Sequence, residues 1–233
     1  MSDIFALIPA AGTGVRMGYE IPKQYQQLAG KPLINHAIDV LCAHARVQQV
    51  FVVLSPEDVI FRQQDWSAYK GQLEQLYCGG ATRSASVLNG LMAMGDAVEP
   101  DDWVMVHDAA RPCLTDRLID QLINELADDN VGGLLALPVT DTLKRADPTQ
   151  RVVETVSREN LWQAQTPQMF RYRLLLEALR NAAGLNIATV TDESSAIEQL
   201  GLKPRLVMGS PGNLKVTWPD DLNFSEIILK SNC

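Results

Sequence analysis

The sequence predicts an α/β fold: an open, mostly parallel sheet with helices on both faces and a projecting β-arm. Three observations predict it. Short apolar runs at Ile4 to Ile8, Val50 to Leu54, Trp103 to His107 and Leu134 to Leu137 read as strands buried on both sides. Amphipathic stretches of helical period stand between them, at Leu33 to Ala43, Ser84 to Met94 and Thr115 to Ala127. Strands and helices in alternation imply crossover connections and a Rossmann-like sheet, with ligands bound beyond the carboxyl ends of the strands. From Val139 to Thr155 the rhythm breaks. Pro138 precedes a polar segment containing Asp147-Pro148, and the alternating Val152-Val153-Glu154-Thr155-Val156 closes it, as in a hairpin or arm.

The remaining elements follow in order. Thr115 offers a hydroxyl that caps the first turn of its helix. After the arm, Phe170 to Ala183 and Asp192 to Leu200 read as helices, Arg205 to Met208 as a strand, and Asp220 to Leu229 as a closing helix. No repeat, low-complexity run or linker divides the chain, so residues 1–233 are expected to form a single domain with 139–157 as its arm.

Composition narrows the function classes. With 233 residues and 46% hydrophobic side chains the chain can fill a core without staples. Cys42, Cys78, Cys113 and Cys233 are scattered, with no Cys-x-x-Cys pair, and so suggest neither a zinc site nor a disulfide framework. No basic stretch precedes an apolar run at the N-terminus, and no uncharged apolar segment approaches the ~18 residues of a membrane span; a cytoplasmic protein is expected. A net charge of -8 argues against nucleic-acid binding, which needs clustered Lys and Arg. If the ligands are anionic, the cations that meet them must be few and well placed.

The first strand leads directly into Pro9-Ala10-Ala11-Gly12-Thr13-Gly14-Val15-Arg16-Met17-Gly18, where small residues let backbone amides approach a ligand closely. Met17 stands where a dinucleotide fingerprint needs its third glycine, and no Gly-Lys-Ser/Thr follows as a P-loop requires. Alone, the loop serves a structural turn or a phosphate cradle equally well. Arg16 within it and Lys23 just beyond put two cations near any phosphate held there, which favours the cradle.

Ala10-Ala11-Gly12-x-Gly14-x-Arg16-Met17, followed by Pro22-Lys23-Gln24-Tyr25, resembles the nucleotide-binding signature of sugar-phosphate nucleotidyltransferases, and most of all that of the methylerythritol phosphate cytidylyltransferases. Further motifs match in the family's order: Gly79-Gly80-x-x-Arg83-x-x-Ser86, His107-Asp108-Ala109-Ala110-Arg111-Pro112, Asp141-Thr142-Leu143-Lys144, Thr155-Val156-Ser157-Arg158, Trp162, Gln165-Thr166-Pro167-Gln168, Thr191-Asp192-Glu193 and Gly212-Asn213-Leu214-Lys215. They run from residue 9 to residue 217. The resemblance implies a fold of the nucleotide-diphospho-sugar transferase type and transfer of CMP from CTP to 2-C-methyl-D-erythritol 4-phosphate, with release of pyrophosphate. It implies CTP binding by Ala10, Ala11, Gly12, Thr13, Gly14, Gly80, Arg83 and Ser86. Ala81 stands where some relatives carry an acidic residue, which leaves cytosine to the Gly80 backbone and Ser86. Asp108, Arg111, Thr142, Thr166 and Thr191 are implied for the acceptor. A homodimer is also implied, whose exchanged arms bring Arg158 to the partner's site.

In such a reaction an ionised phosphate oxygen attacks the α-phosphorus, so no general base is needed. Charge neutralisation and positioning dominate. Arg16 and Lys23 are assigned to the α-phosphate, Lys215 and Arg158 to the attacking phosphate, and Mg²⁺ to the CTP phosphates, with Asp108 a candidate metal ligand. The helix opened by Thr191-Asp192-Glu193 is expected to favour anions at its N-terminus. His107 points away from Asp108 by strand alternation and is expected, like His36 and His44, to be structural; Trp66, Trp103, Trp162 and Trp218 are expected to pack. A ribitol 5-phosphate cytidylyltransferase would share the sheet and CTP loop, whereas a nicotinamide-dependent oxidoreductase is disfavoured by Met17 and the two cations. A silent scaffold is disfavoured by the intact set of Arg16, Lys23, Asp108, Arg158 and Lys215.

Overall fold

In the computed structural model, which describes residues 2–12, 21–184 and 190–231, the first strand, β1 (Ile4–Pro9), is buried on both faces. Its side chains alternate: Ile4, Ala6 and Ile8 enter one hydrophobic core, Phe5 and Leu7 a second. That alternation calls for a helical layer on each side.

The chain continues through a tight antiparallel pair, β2 (Gln27–Leu28) and β3 (Lys31–Pro32), then α1 (Leu33–Ala43), β4 (Gln49–Val53), the short α2 (Val59–Arg62), β5 (Leu73–Leu76), α3 (Arg83–Ala93), β6 (Trp103–Val106) and α4 (Asp116–Leu126). It proceeds through β7 (Gly132–Pro138), β8 (Leu143–Ala146), β9 (Val152–Val156), β10 (Trp162–Arg171), α5 (Tyr172–Gly184), α6 (Glu193–Glu198), β11 (Arg205–Met208) and α7 (Pro219–Ser231). Ile34, Ile38 and Leu41 of α1 and Leu118, Ile119 and Leu122 of α4 pack in the first core. Val87 and Leu91 of α3, Leu175 and Leu179 of α5, and Ala196 and Ile197 of α6 fill the second. Thr115 caps α4 by accepting from the Leu118 amide, as its position implies.

The seven-stranded sheet has the order β11-β7-β10-β6-β1-β4-β5. All neighbours are parallel except β10, which runs antiparallel to both β6 and β7. The mostly parallel sheet agrees with the sequence, but β10 is a strand the apolar pattern does not predict, with Pro167 and three glutamines in it, and its Phe170 lies in the strand and not in the helix expected from Phe170 to Ala183. Pro167 sits where the register to β7 shifts, at a bulge that asks no amide of it. Gln165 and Gln168 are buried but hydrogen-bonded. Phe170 pairs with Val104 and Gly132, which delays α5 to Tyr172.

The arm is a hairpin, β8 with β9, in a sheet of its own. Val152 and Val153 are exposed on it. Two of the tryptophans depart from the expected packing. Trp103 is buried and Trp66 stacks on Phe61, with centroids 4.2 Å apart, but Trp162 and Trp218 are exposed. Cys42 and Cys113 are buried, as small apolar side chains should be, and among the described residues no helix is long and apolar enough to cross a membrane.

At Gly133 the sheet leaves no room for a side chain. A Cβ there would stand 2.1 Å from the Arg205 carbonyl oxygen, a backbone atom of the paired strand. Gly133→Ala should therefore cost about 1–3 kcal/mol, the usual penalty of overpacking. Urea denaturation would show a lower midpoint at unchanged slope, and an unchanged midpoint would mean that β7 and β11 part without cost.

Candidate active site

The carboxyl ends of β1, β5 and β6 open on a cleft of about 410 Å³. The loop after β1 contributes Ala10, Ala11 and Gly12 to its lining, and its course is set from below. The Ala10 amide donates to the Val53 carbonyl at 2.8 Å, and the buried Gln24 side chain donates to the Ala10 carbonyl at 2.9 Å. Lys23, the neighbour of Gln24, thereby lines the same cleft. Its Nζ donates to the Val216 carbonyl at 2.8 Å.

The loop after β5 approaches closely enough that glycine is required at its start. A Cβ on Gly79 would lie 2.2 Å from the Ala11 Cβ and 2.8 Å from the Leu54 oxygen. The Gly80 amide then donates to Ser86 Oγ at 3.0 Å, and Ser86 Oγ donates to the Thr82 carbonyl at 2.9 Å. Ser86, read as a base-recognition hydroxyl, thus ties its own loop to α3, and the Gly80 amide is spent on it. Both residues still line the cleft.

Asp108, just past β6, holds the charged centre. Its Oδ1 accepts from Arg83 Nε at 2.8 Å, its Oδ2 pairs with Lys215 Nζ at 2.7 Å, and Arg111 Nε stands 3.9 Å from Oδ2. Burial alone would raise this carboxyl, but the Arg83 guanidinium and the Lys215 ammonium outweigh it and hold the group well below the usual carboxylate range. Arg83 also forks onto Glu193, at 2.7 and 3.0 Å. Burial pulls its pKa down, and the two carboxylates more than reverse that.

Behind Asp108 lies a supporting layer. The Asp108 amide donates to Thr166 Oγ1 at 3.0 Å, and that oxygen lies 3.2 Å from His107 Nδ1, while His107 Nε2 is 3.0 Å from the Arg111 carbonyl. His107 is fully buried, and burial pushes its pKa down to about 4. It is a neutral structural histidine, as strand alternation implied. His36 and His44 are also buried, the first 2.8 Å from the Leu28 carbonyl and the second 3.3 Å from Asp120.

The structure thus gathers Ala10, Ala11, Gly12, Lys23, Gly80, Arg83, Ser86, Asp108 and Lys215 around one cleft. Thr13, Gly14 and Arg16 lie outside the described residues. Thr166 and Arg111 stand behind the lining: Thr166 carries the Asp108 backbone, and Arg111 donates to the Asn213 and Ala164 carbonyls. Thr142 and Thr191 are exposed, and Arg158, on the segment following the arm, donates to the Thr140 carbonyl. The expected anion site at the start of α6 is corrected. The Thr191 and Asp192 amides donate to Ser195 Oγ, the Ser194 amide to Gln168 Oε1 and the Ser195 amide to Asp192 Oδ1, so these donors are already occupied. Sequence reasoning missed the ion pair of Glu193, although a signal existed: Glu193 shares a helix face with the buried Ala196 and Ile197, three and four residues on.

For a resident metal the donor set is thin. Among the described residues no three His, Cys, Asp or Glu side chains converge, and each oxygen of Asp108 already faces a cation. What the cleft can do is hold and polarise phosphates, since loop backbone, Lys23, Arg83 and Lys215 line it and the one carboxylate among them is neutralised. Sheet and cleft together place the chain among the nucleotidyltransferases.

The model of the 2-C-methyl-D-erythritol 4-phosphate cytidylyltransferase family, IspD, matches residues 4–231, and the chain belongs to that family. The enzyme of that name from Nitrosospira multiformis is 60% identical over 235 residues, covering 100% of both chains. A crystal structure of 4-diphosphocytidyl-2C-methyl-D-erythritol synthase superposes with a TM-score of 0.86 at 37% identity, over 98% of this chain and 99% of the other. The Francisella tularensis enzyme gives 0.83 at 34% identity, over 97% and 100%.

The buried His107 makes a pH prediction. Its folded pKa is depressed from 6.5 to about 4, so between those values the unfolded chain binds the proton and the folded chain does not. Stability should fall as pH drops through that window, by up to about 1.4 kcal/mol per pH unit. His107→Gln, compared with its own value at pH 7.5, should flatten the slope of urea midpoint against pH. Equal slopes in the two proteins would assign the proton uptake elsewhere. His36, which burial also holds below 6.5, adds to the slope in both proteins alike, and Asp108, depressed from the carboxylate range, adds to it at the acid end of the window and below, so the comparison of the two slopes isolates His107.

Proposed function

We propose that this cleft transfers CMP from CTP to 2-C-methyl-D-erythritol 4-phosphate, giving 4-diphosphocytidyl-2-C-methyl-D-erythritol and pyrophosphate, a step of non-mevalonate isoprenoid biosynthesis. The single observation that carries the reading is the meeting of Lys23 with the segment around Lys215, 193 positions from Lys23 to its Val216 partner, in a cleft walled by glycine-rich loops. Two lysines are thereby held by backbone and carboxylate at one cleft, although the chain as a whole carries -8.

In the proposed mechanism a phosphate oxygen of the acceptor attacks the α-phosphorus of CTP in line. The bond to the α,β-bridging oxygen breaks and its electron pair leaves on pyrophosphate. The nucleophile is ionised at neutral pH, so the neutral, buried His107 is not needed as a base. Lys23, with Arg16, neutralises charge at the α-phosphate, and Lys215, tethered to Asp108, receives the acceptor phosphate together with Arg158 of the partner subunit. Ala10 to Gly14, Gly80, Arg83 and Ser86 form the CTP side, Thr142 and Thr191 serve the acceptor from the rim, and Arg111 and Thr166 act on it through Asp108. Mg²⁺ would enter with the nucleotide and not as a resident ion, since Asp108, the one carboxylate lining the cleft among the described residues, is already paired with Arg83 and Lys215. When bound it would neutralise phosphate charge. The working unit is a cytoplasmic homodimer with exchanged arms; the exposed Val152 and Val153 support it.

Pyrophosphate release with CTP, Mg²⁺ and methylerythritol phosphate tests the reading, with ribitol 5-phosphate and ATP, GTP and UTP as controls. Turnover with the first pair alone is expected; preference for ribitol phosphate would move the protein to another pathway, and silence with every pair would sink the transferase reading. Lys23→Ala should lower turnover by about 10²-fold or more, as removal of one transition-state donor does, while circular dichroism stays unchanged. Near-normal turnover would remove Lys23 from the mechanism.

The trans role of Arg158 is tested by mixing two inactive proteins, Lys23→Ala and Arg158→Ala. A mixed dimer has one site in which both residues are native, so activity should return on subunit exchange. If the mixture stays silent while exchange is demonstrated, Arg158 does not act across the interface.

A further inference from the structure

Arg83 lies between two carboxylates from distant parts of the chain. Its Nε donates to Asp108 Oδ1 at 2.8 Å, and its two terminal nitrogens fork onto Glu193 at 2.7 and 3.0 Å. Glu193 is 1% exposed and stands outside the lining of the cleft, behind Arg83. Asp108 in turn holds Lys215 at 2.7 Å. An unbroken line of ion pairs therefore runs from α6 through α3 and the end of β6 to the lysine near the C-terminus.

Docking of α6 does not explain this carboxylate. Ala196 and Ile197 are fully buried on the same helix face. The N-terminus of α6 is closed by the Asp192 and Ser195 capping box and pinned to β10 by the Ser194 amide on Gln168. A buried ion pair is weak evidence for stability, because desolvation offsets most of its attraction. Orientation is the better account: a planar guanidinium gripped bidentately cannot turn, and its remaining donor edge is fixed on Asp108.

We infer that Glu193 is a positioning residue for the transfer reaction, restraining Arg83 on the CTP side of the cleft so that Arg83 aligns Asp108, and through it Lys215. The inference rests on the cytidylyl-transfer reading of the cleft. Without the charge of Glu193, the site would be one charge more positive beside the nucleotide, and Arg83, left with Asp108 as its remaining carboxylate partner, would draw it away from Lys215. The nucleotide would then be held as well or better, but in a cleft whose acceptor lysine has lost its tether.

That consequence separates positioning from simple structural support, since a loosened fold weakens binding and turnover together. Glu193→Gln should lower kcat by about tenfold or more, the worth of one hydrogen bond to a charged group, while the Kd for CTP stays equal or tightens. Glu193→Asp, which keeps the charge, should recover most of the loss. Arg83→Gln combined with Glu193→Gln should be no worse than Arg83→Gln alone, because Glu193 acts only through Arg83. The inference is overturned if kcat of Glu193→Gln stays within about twofold of the parent, if CTP affinity falls in step with kcat, or if the two losses multiply. Should Glu193→Gln not fold, Arg83→Gln decides: a folded Arg83→Gln with parental kcat overturns it as well. Turnover of the unmodified protein is measured first. Silence there defeats the cytidylyl-transfer reading and this inference with it, whereas an active parent with an unaffected Glu193→Gln defeats this inference alone.

Discussion

The arrangement depends on keeping one carboxylate, Asp108, ionised while it is almost entirely removed from water. A buried carboxylate survives as an anion only if cations and donors reach it, and here they come from every direction. Arg83 arrives from α3, Lys215 from the segment before α7, and Thr166 beneath the backbone from the bulge of β10. Glu193, from α6, balances Arg83 in its turn. Each of these elements is located by packing, but the charged centre sets how accurately they must meet.

The antiparallel β10 follows from the same demand. Inserted between β6 and β7, it carries Thr166 directly to the end of β6, and its bulge turns Gln165 and Gln168 inward to bond the Ser210 carbonyl and Asp192. Asn213 closes the ring by donating to the Thr166 carbonyl at 2.8 Å. Gln165, Thr166 and Gln168, which would be costly unpaired in an ordinary strand, are hydrogen-bonded here, and they hold the late part of the chain against the carboxyl edge of the sheet.

Charge distribution separates the cleft from the rest of the molecule. The chain is strongly acidic, yet Lys23, Arg83 and Lys215 line one cleft with a single carboxylate among the described lining residues. Such an imbalance favours a polyanionic ligand locally, while the acidic remainder discourages nonspecific association with nucleic acid. Family membership, cleft chemistry and charge thus agree.

Much of this was legible in the amino-acid order, because it depends on local pattern. Apolar runs identified β1, β4, β6 and β7, and helical periodicity identified α1, α3 and α4. Thr115 marked a cap, and the break after Pro138 marked the hairpin. Glycines at 12, 79 and 80 with Lys23 and Lys215 were drawn to one site by the resemblance of their motifs to the family's, and Gly12, Gly80, Lys23 and Lys215 line one cleft. What only the tertiary structure decided was pairing between distant residues: β10 as a strand despite Pro167 and its glutamines, Glu193 as the partner of Arg83, Arg111 and Thr166 as supports behind Asp108, and Ser86 as a tie within its own loop. Helical spacing can hint that a residue such as Glu193 is buried, but its hydrogen-bond partner is set by packing at long sequence separation, and no local pattern names it.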